Sequence, residues 1–240
     1  MSDTAQLTIE QKLQKVLDIH EVHNVMGRHA YYHGLGKNAE ELEAIWVKET
    51  PEPTFAQNQG YFVGYESINY YYGELNRKMQ RANLKLLRQH YPELEESDDN
   101  LGVGTLIMHP LTTPIIEIAG DGKTAKGMWY SPGQVTEIMP PDHRPVAHWI
   151  WEKYGVDLVR ERGQWKIWHL HVYTDFFTPV GASWADRTAD APMGVGGPPV
   201  EMPRPDIEKE TYKVYSHTQV PQDLPRIPEP YQTFGETFSY

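Results

Sequence analysis

The sequence predicts an α+β fold, on two observations. Apolar residues recur at helical spacing from residue 8 to residue 91, and beyond residue 103 they fall into alternating runs joined by short turns. Helices come first and antiparallel hairpins second, with no internal repeat. The expected organisation is one domain over residues 1–180 and an extended tail over 181–240.

Thr8 is placed to cap the first helix, in which Ile9, Leu13, Val16, Leu17, Ile19, Val22 and Met26 keep three- and four-residue spacing up to Tyr31. Two glycines in "YYHGLGKNAEELEAIW" end it, and Asn38 can cap a second helix that runs through Leu42 and Ile45 to Trp46. A short extended pair is expected in "PTFAQNQGYFVG". A long helix then covers "YESINYYYGELNRKMQRANLKLLRQHY" and stops before Pro92. "GTLIMHPLTTPIIEIAG" and "KTAKGMWYSPGQVTEI" read as strands joined at "GDGK"; "HWIWEKYGVDLVRE" and "WKIWHLHVYTDFF" read as strands joined at "RGQ". From Thr178 onward come about half of the 19 prolines and few apolar runs, the composition of an irregular segment.

Composition excludes several function classes. A net charge of −11 with no Lys/Arg run argues against nucleic acid and anionic membrane surfaces as partners. The absence of cysteine rules out disulfides, thiolate nucleophiles, iron–sulfur clusters and the usual structural zinc sites. The polar start "MSDTAQLTIEQKLQK" has no apolar core of a secretory signal, and no window approaches a membrane span, so a cytoplasmic protein is expected. "GVGG" near residue 194 has no strand before it or helix after it, and is not a dinucleotide fingerprint.

In the last strand, alternation sends Trp165, Ile167, His169, His171 and Tyr173 to one face and Lys166, Trp168, Leu170 and Val172 to the other. The first face reads as a cavity lining, the second as an apolar stripe for a subunit interface. His169 and His171 are equally consistent with a satisfied or edge pair. With only Asp175 nearby as a third ligand, no metal is assigned.

The order of "HAYYHGLGKNAEELEAIW", a long helix, "MHPLTTPIIEIAGDGKTAKGMWY" and "YGVDLVRERGQWKI" resembles the SnoaL-like branch of the NTF2-like superfamily over residues about 10 to 180. That group holds ketosteroid isomerase, scytalone dehydratase, the bile-acid dehydratase and a cofactor-free diarylpropane formaldehyde-lyase group. The resemblance implies a conical barrel, a bent antiparallel sheet wrapped around helices with a deep apolar pocket between. It puts the end of the first helix at the pocket mouth, so that Tyr32 and His33 can meet a ligand. Tyr32 matches the tyrosine of the dehydratases, while His33 stands where they carry an aspartate. His109 matches their strand histidine, the acid or base, and shares a face with Ile107 and Leu111. Tyr31, one position from Tyr32, faces elsewhere and reads as core.

These side chains suit acid–base chemistry without a cofactor, because a histidine can take a proton from carbon and return it within one turnover. The expected activity is a lyase, acting by dehydration or by C–C cleavage with loss of formaldehyde; a binding module or an isomerase of the same fold is the alternative. The abundance of aromatic residues points to a small aromatic substrate, lignin-derived compounds among them. Tyr61, Trp129, Trp149, His169, His171, Tyr173 and Arg81 are candidates for binding it. Arg81 also belongs to an Arg77, Arg81, Lys85 stripe that reads as a solvated helix face. The apolar stripe leads to an expected homo-oligomer, dimer or trimer. The tail carries Tyr212, Tyr215, Tyr231, Phe234, Phe238 and Tyr240 as spaced anchors, and is expected to strap its own barrel or a neighbouring subunit.

Overall fold

The computed structural model of the chain describes residues 7–139, 142–186 and 200–235. The "GVGG" stretch, Phe238 and Tyr240 lie outside these residues. Helix α1 (Ile9–Gly34) starts at Thr8, whose side chain accepts from Gln11 N–H while the Gln11 side chain accepts from Thr8 N–H. Its buried side begins only at Asp18 and continues through Val22, Val25, Met26 and His29. The first turns project past the sheet, so Ile9, Leu13, Val16 and Leu17 are exposed rather than core. Tyr31 is also exposed, at 79%, and corrects the core reading: it sits on the side of α1 turned away from the sheet.

Helix α2 (Asn38–Ile45) buries Asn38, Glu41, Leu42 and Ile45, the i, i+3, i+4, i+7 pattern of one helix face. Lys37 rather than Asn38 holds the N-cap position. The expected single long helix is divided: α3 (Tyr65–Ile68), a π-helical stretch over Asn69–Glu74, and α4 (Leu75–Leu87). Its end agrees with the stop expected before Pro92.

Eight strands form one curved sheet in the order β3-β5-β6-β7-β1-β2-β8, with β4 also on β5. These are β1 (Thr54–Gln57), β2 (Gly60–Val63), β3 (Leu106–Met108), β4 (Thr112–Ile118), β5 (Thr124–Met139), β6 (Arg144–Glu161), β7 (Gln164–Pro179) and β8 (Ile207–Glu208). The long β5, β6 and β7 are antiparallel neighbours, and β1 joins β7 in parallel. The core lies between the inner face of this sheet and helices α1 and α2. There Val22, Met26, Leu42, Ile45, Trp46, Phe55, Trp129, Val156, Leu158, Ile167 and Leu170 pack together. No helix of the described residues is long and apolar enough to cross a membrane.

Strand β7 departs from simple alternation. Asp157 pairs with His169 but Leu158 pairs with Ile167, so Trp168 is an extra residue, a β-bulge. One inserted residue exchanges the two faces of everything that follows. Trp165 and Ile167 therefore share the core with Leu170 and Val172, while His169, His171 and Tyr173 are sent to the outer face. This corrects the face assignment made from the sequence.

The outer face is covered by the chain's own tail. Ile207 and Glu208 extend the sheet beside β2, Thr211 N–H donates to Asn58 O, and Gly120 N–H donates to Tyr231 O. Tyr212 is buried, donates to Asp175 at 2.6 Å and accepts from Lys153 Nζ at 2.7 Å. Phe234 rests on Trp168, with ring centroids 4.8 Å apart.

Candidate active site

A cavity of about 350 Å³ opens between the end of α1, the π-helical stretch, α4 and the inner face of β5, β6 and β7. Its walls include Phe55, Tyr71, Tyr72, Leu75, Ile107, Val135, Ile150, Tyr154, Val172 and Phe177, with Met202 of the tail at its edge. This is an apolar container with polar groups at a few points, the usual form of a small-molecule site. The polar groups converge on three histidines: His29, His33 and His109.

His109 occupies the gap between β3 and β4, where Pro110 cannot donate to the ladder on β5. Opposite it, a Cβ on Gly133 would stand 2.6 Å from Met108 O and 3.2 Å from His109 Nδ1, so only glycine leaves the ring its place. His109 Nδ1 lies 3.0 Å from Glu152 Oε2. The N–H is off the ideal line to that oxygen, an alignment that ligand-free sites often show before a substrate tightens it. Glu152 points inward from β6 on the same face as Ile150, Tyr154 and Val156. Its carboxylate also accepts from Thr174 Oγ1 at 3.2 Å and Tyr154 Oη at 3.3 Å. Burial pushes the Glu152 carboxyl up, but the hydrogen bond and charge of His109, with His33 and Thr174, outweigh it and hold the group below the usual carboxylate range. Glu152 is thus an anion beside His109 at neutral pH.

His33, at the last turn of α1, has its ring centroid 5.1 Å from that of His109 and 6.0 Å from that of His29. Burial, reinforced by the neighbouring imidazoles His109 and His29, pushes His33 down to about 4, so its ring is neutral near pH 7. Its Nδ1 is 3.2 Å from the Tyr72 hydroxyl, which is 2.9 Å from Glu41 Oε2. The other Glu41 oxygen lies 2.8 Å from His29 Nδ1 and accepts from Trp46 Nε1 at 3.1 Å. Burial first, then the charges of Glu41 and Glu152, raise the Tyr72 and Tyr154 hydroxyls well above the usual tyrosine value. Both remain protonated donors.

Of the residues singled out in the sequence, His33 and His109 meet in this cavity; the others lie elsewhere. Tyr32 is half-buried at the end of α1 and outside the cavity wall, its backbone carbonyl accepting from Leu35 and Lys37. Trp129 is core, edge-on to His23. Tyr61, His169, His171 and Tyr173 gather on the outer face under the tail: His169 Nδ1 is 2.9 Å from Asp157, His171 Nε2 is 3.0 Å from Thr211 Oγ1, and Tyr173 stacks on His171. Trp149 is exposed, and Arg81 is an exposed ion-pair partner of Asp98 at 3.0 Å. Among the described residues, no group of three His, Asp or Glu side chains is arranged to hold a metal ion.

Sequence reasoning missed Glu152, Glu41 and the hydroxyl of Tyr72. The signal for the two acids was present. Each is a lone carboxylate on an otherwise apolar face, Glu152 among Ile150, Tyr154 and Val156 on a strand, Glu41 among Leu42 and Ile45 on a helix.

No curated protein matches the chain in sequence. Among solved structures, LinA is similar at 13% identity and a TM-score of 0.48, over 74% of this chain and 99% of that one. The hexachlorocyclohexane dehydrochlorinase LinA-type3 of Novosphingobium barchaimii LL02 is similar at 13% identity and a TM-score of 0.46, over 73% of this chain and 99% of that one. An NTF2-like protein with a cystatin-like fold from Novosphingobium aromaticivorans is similar at 14% identity and a TM-score of 0.42, over 71% and 91%. These scores are low, and the assignment rests instead on the domain itself. The SnoaL-like domain matches residues 14–171, a span holding His33, Glu41, Tyr72, His109 and Glu152, and the chain belongs to the SnoaL-like family, with its NTF2-like α+β fold.

Proposed function

We propose that the cavity is the active site of a cofactor-independent lyase that performs acid–base elimination on a small aromatic alcohol. The observation that carries this reading is the approach of His109 Nδ1 to the buried Glu152 carboxylate, 3.0 Å, at the wall of an apolar cavity. With Nδ1–H turned to Glu152, Nε2 is the nitrogen left to take a proton. The carboxylate then stabilises the imidazolium that forms, in the manner of an oriented base.

Two redox-neutral outcomes use the same residues. In dehydration, His109 takes a proton from carbon, the C–O bond breaks as the double bond forms, and the imidazolium gives its proton to the departing hydroxide as water. In C–C cleavage, the base takes the hydroxyl proton of a CH2OH group, the C–C bond breaks to release formaldehyde, and the carbon left behind takes the proton back. The aromatic walls formed by Phe55, Tyr71, Tyr72 and Phe177 favour a ring-bearing substrate.

Assembly into a homo-oligomer is part of this reading. Ile9, Leu13, Val16 and Leu17 on α1, and Trp149 and Trp151 on β6, leave apolar surface exposed that a second copy would cover. The test of function is turnover of a panel of phenolic alcohols, with water or formaldehyde loss followed by mass. A ligand that raises the melting temperature while no panel member is converted would favour a non-catalytic binding module.

A further inference from the structure

Glu41 is a carboxylate with no exposed surface, placed where three donors reach it, and the lyase chemistry of His109 and Glu152 gives it no task. A buried ion costs more than an apolar residue of the same size unless its partners need it. His29 and Trp46 both point to Oε1; Oε2 is reserved for Tyr72.

The direction of the hydrogen bonds follows from counting protons. Tyr72 has one hydroxyl hydrogen, and a carboxylate can only accept, so that hydrogen goes to Glu41. The Tyr72 oxygen is then an acceptor toward His33, and His33 must carry its proton on Nδ1. His33 is therefore left with a bare Nε2. The π-helical stretch Asn69–Glu74 makes this possible: its wider turn lets the successive residues Tyr71 and Tyr72 both line the cavity.

We infer that Glu41 is a positioning residue which, through Tyr72, fixes the tautomer of His33, so that His33 presents Nε2 as a hydrogen-bond acceptor for a substrate hydroxyl. This deepens the lyase reading and rests on it for the substrate. It gives the cavity two oriented imidazole acceptors, His109 held by Glu152 and His33 held by Tyr72 and Glu41. The substrate class it selects carries a hydroxyl donor near the bond that breaks. The groups facing His33 are His29, His109, Tyr72, Glu41 and Glu152, so no cation of Lys or Arg competes for its Nε2 among the described lining residues.

The tautomer can be read without substrate, by long-range proton–nitrogen correlation of the histidine rings in nitrogen-15-labelled protein at pH 7. His33→Gln identifies the resonances. The expected result is a protonated Nδ1 and an unprotonated Nε2 on His33, with the Nε2 resonance moving toward the protonated range in Tyr72→Phe and in Glu41→Gln. Should Glu41→Gln fail to fold, Tyr72→Phe, which keeps the ring and its packing, decides. A wild-type His33 protonated on Nε2, or a tautomer unchanged in Tyr72→Phe, overturns the inference. Because no turnover is involved, this outcome is independent of whether the protein proves to be a lyase.

Discussion

His33 and His109 face one another across the cavity with ring centroids 5.1 Å apart, and each is tied to a different buried carboxylate. One comes from the end of a helix, the other from an interruption in the sheet. Neither carboxylate touches the partner histidine directly, so the two imidazoles can be perturbed separately, and their roles can be told apart by single substitutions.

The pH dependence of stability should report His33. Its folded value of about 4 lies below the ordinary 6.5, so between these limits the unfolded chain binds a proton that the folded protein does not. Stability is therefore present above pH 6.5 and is lost as the pH falls toward 4. Glu152, also depressed, adds its loss lower down, as the pH falls through its folded value. Melting temperatures measured from pH 7 to pH 4.5 should decline, and the decline should be shallower in His33→Phe. Equal slopes in the two proteins would contradict the assignment.

The bulge at Trp168 sets which side chains face the cavity. Deleting Trp168 would restore plain alternation and turn His169, His171 and Tyr173 inward while ejecting Leu170, Val172 and Thr174. We expect the deletion to abolish cooperative folding by circular dichroism. Trp168→Ala, which keeps the count of residues, should fold and lose only the contacts with Phe234 and the Pro51 carbonyl.

Gly133→Ala tests the seat of His109. The added carbon meets the Met108 carbonyl and Ile150 as well as the ring, and backbone must move. A destabilisation of about 1–3 kcal/mol is expected from overpacking, with a fall in kcat larger than any change in ligand affinity. Chemical denaturation and steady-state kinetics on the same preparation separate the two effects.

The tail's hold on the sheet can be weakened by one atom. Tyr212→Phe removes a hydroxyl shared by Asp175 and Lys153 and leaves both charged groups short of a partner. The expected cost is about 1–3 kcal/mol in urea unfolding, while secondary structure is unchanged. A loss within error would show that the tail is not fastened there.

Much of the architecture was legible because it rests on period and punctuation. Thr8 with Gln11 announced α1, the glycines after His33 announced its end, and "GDGK" and "RGQ" marked turns between strands. Parity within β7 was not legible, because a bulge leaves no composition signature when the extra residue is a tryptophan among tryptophans. The lower half of α1 misled for the opposite reason: Ile9, Leu13 and Val16 keep perfect spacing, yet the sheet does not reach them. At the site, the histidines could be picked out by chemistry, but their carboxylates come from elements remote in sequence. Glu152 is 43 positions from His109, and only the β5–β6 pairing and the sheet's curvature bring it near.

The most direct test of the central claim compares wild type with His109→Gln on the first phenolic alcohol that the wild type converts. Turnover and ligand affinity are measured together. The account predicts that kcat falls by roughly 10²-fold or more while the dissociation constant changes little, the mark of a positioned base rather than a binding contact. Wild-type turnover retained by His109→Gln would contradict it.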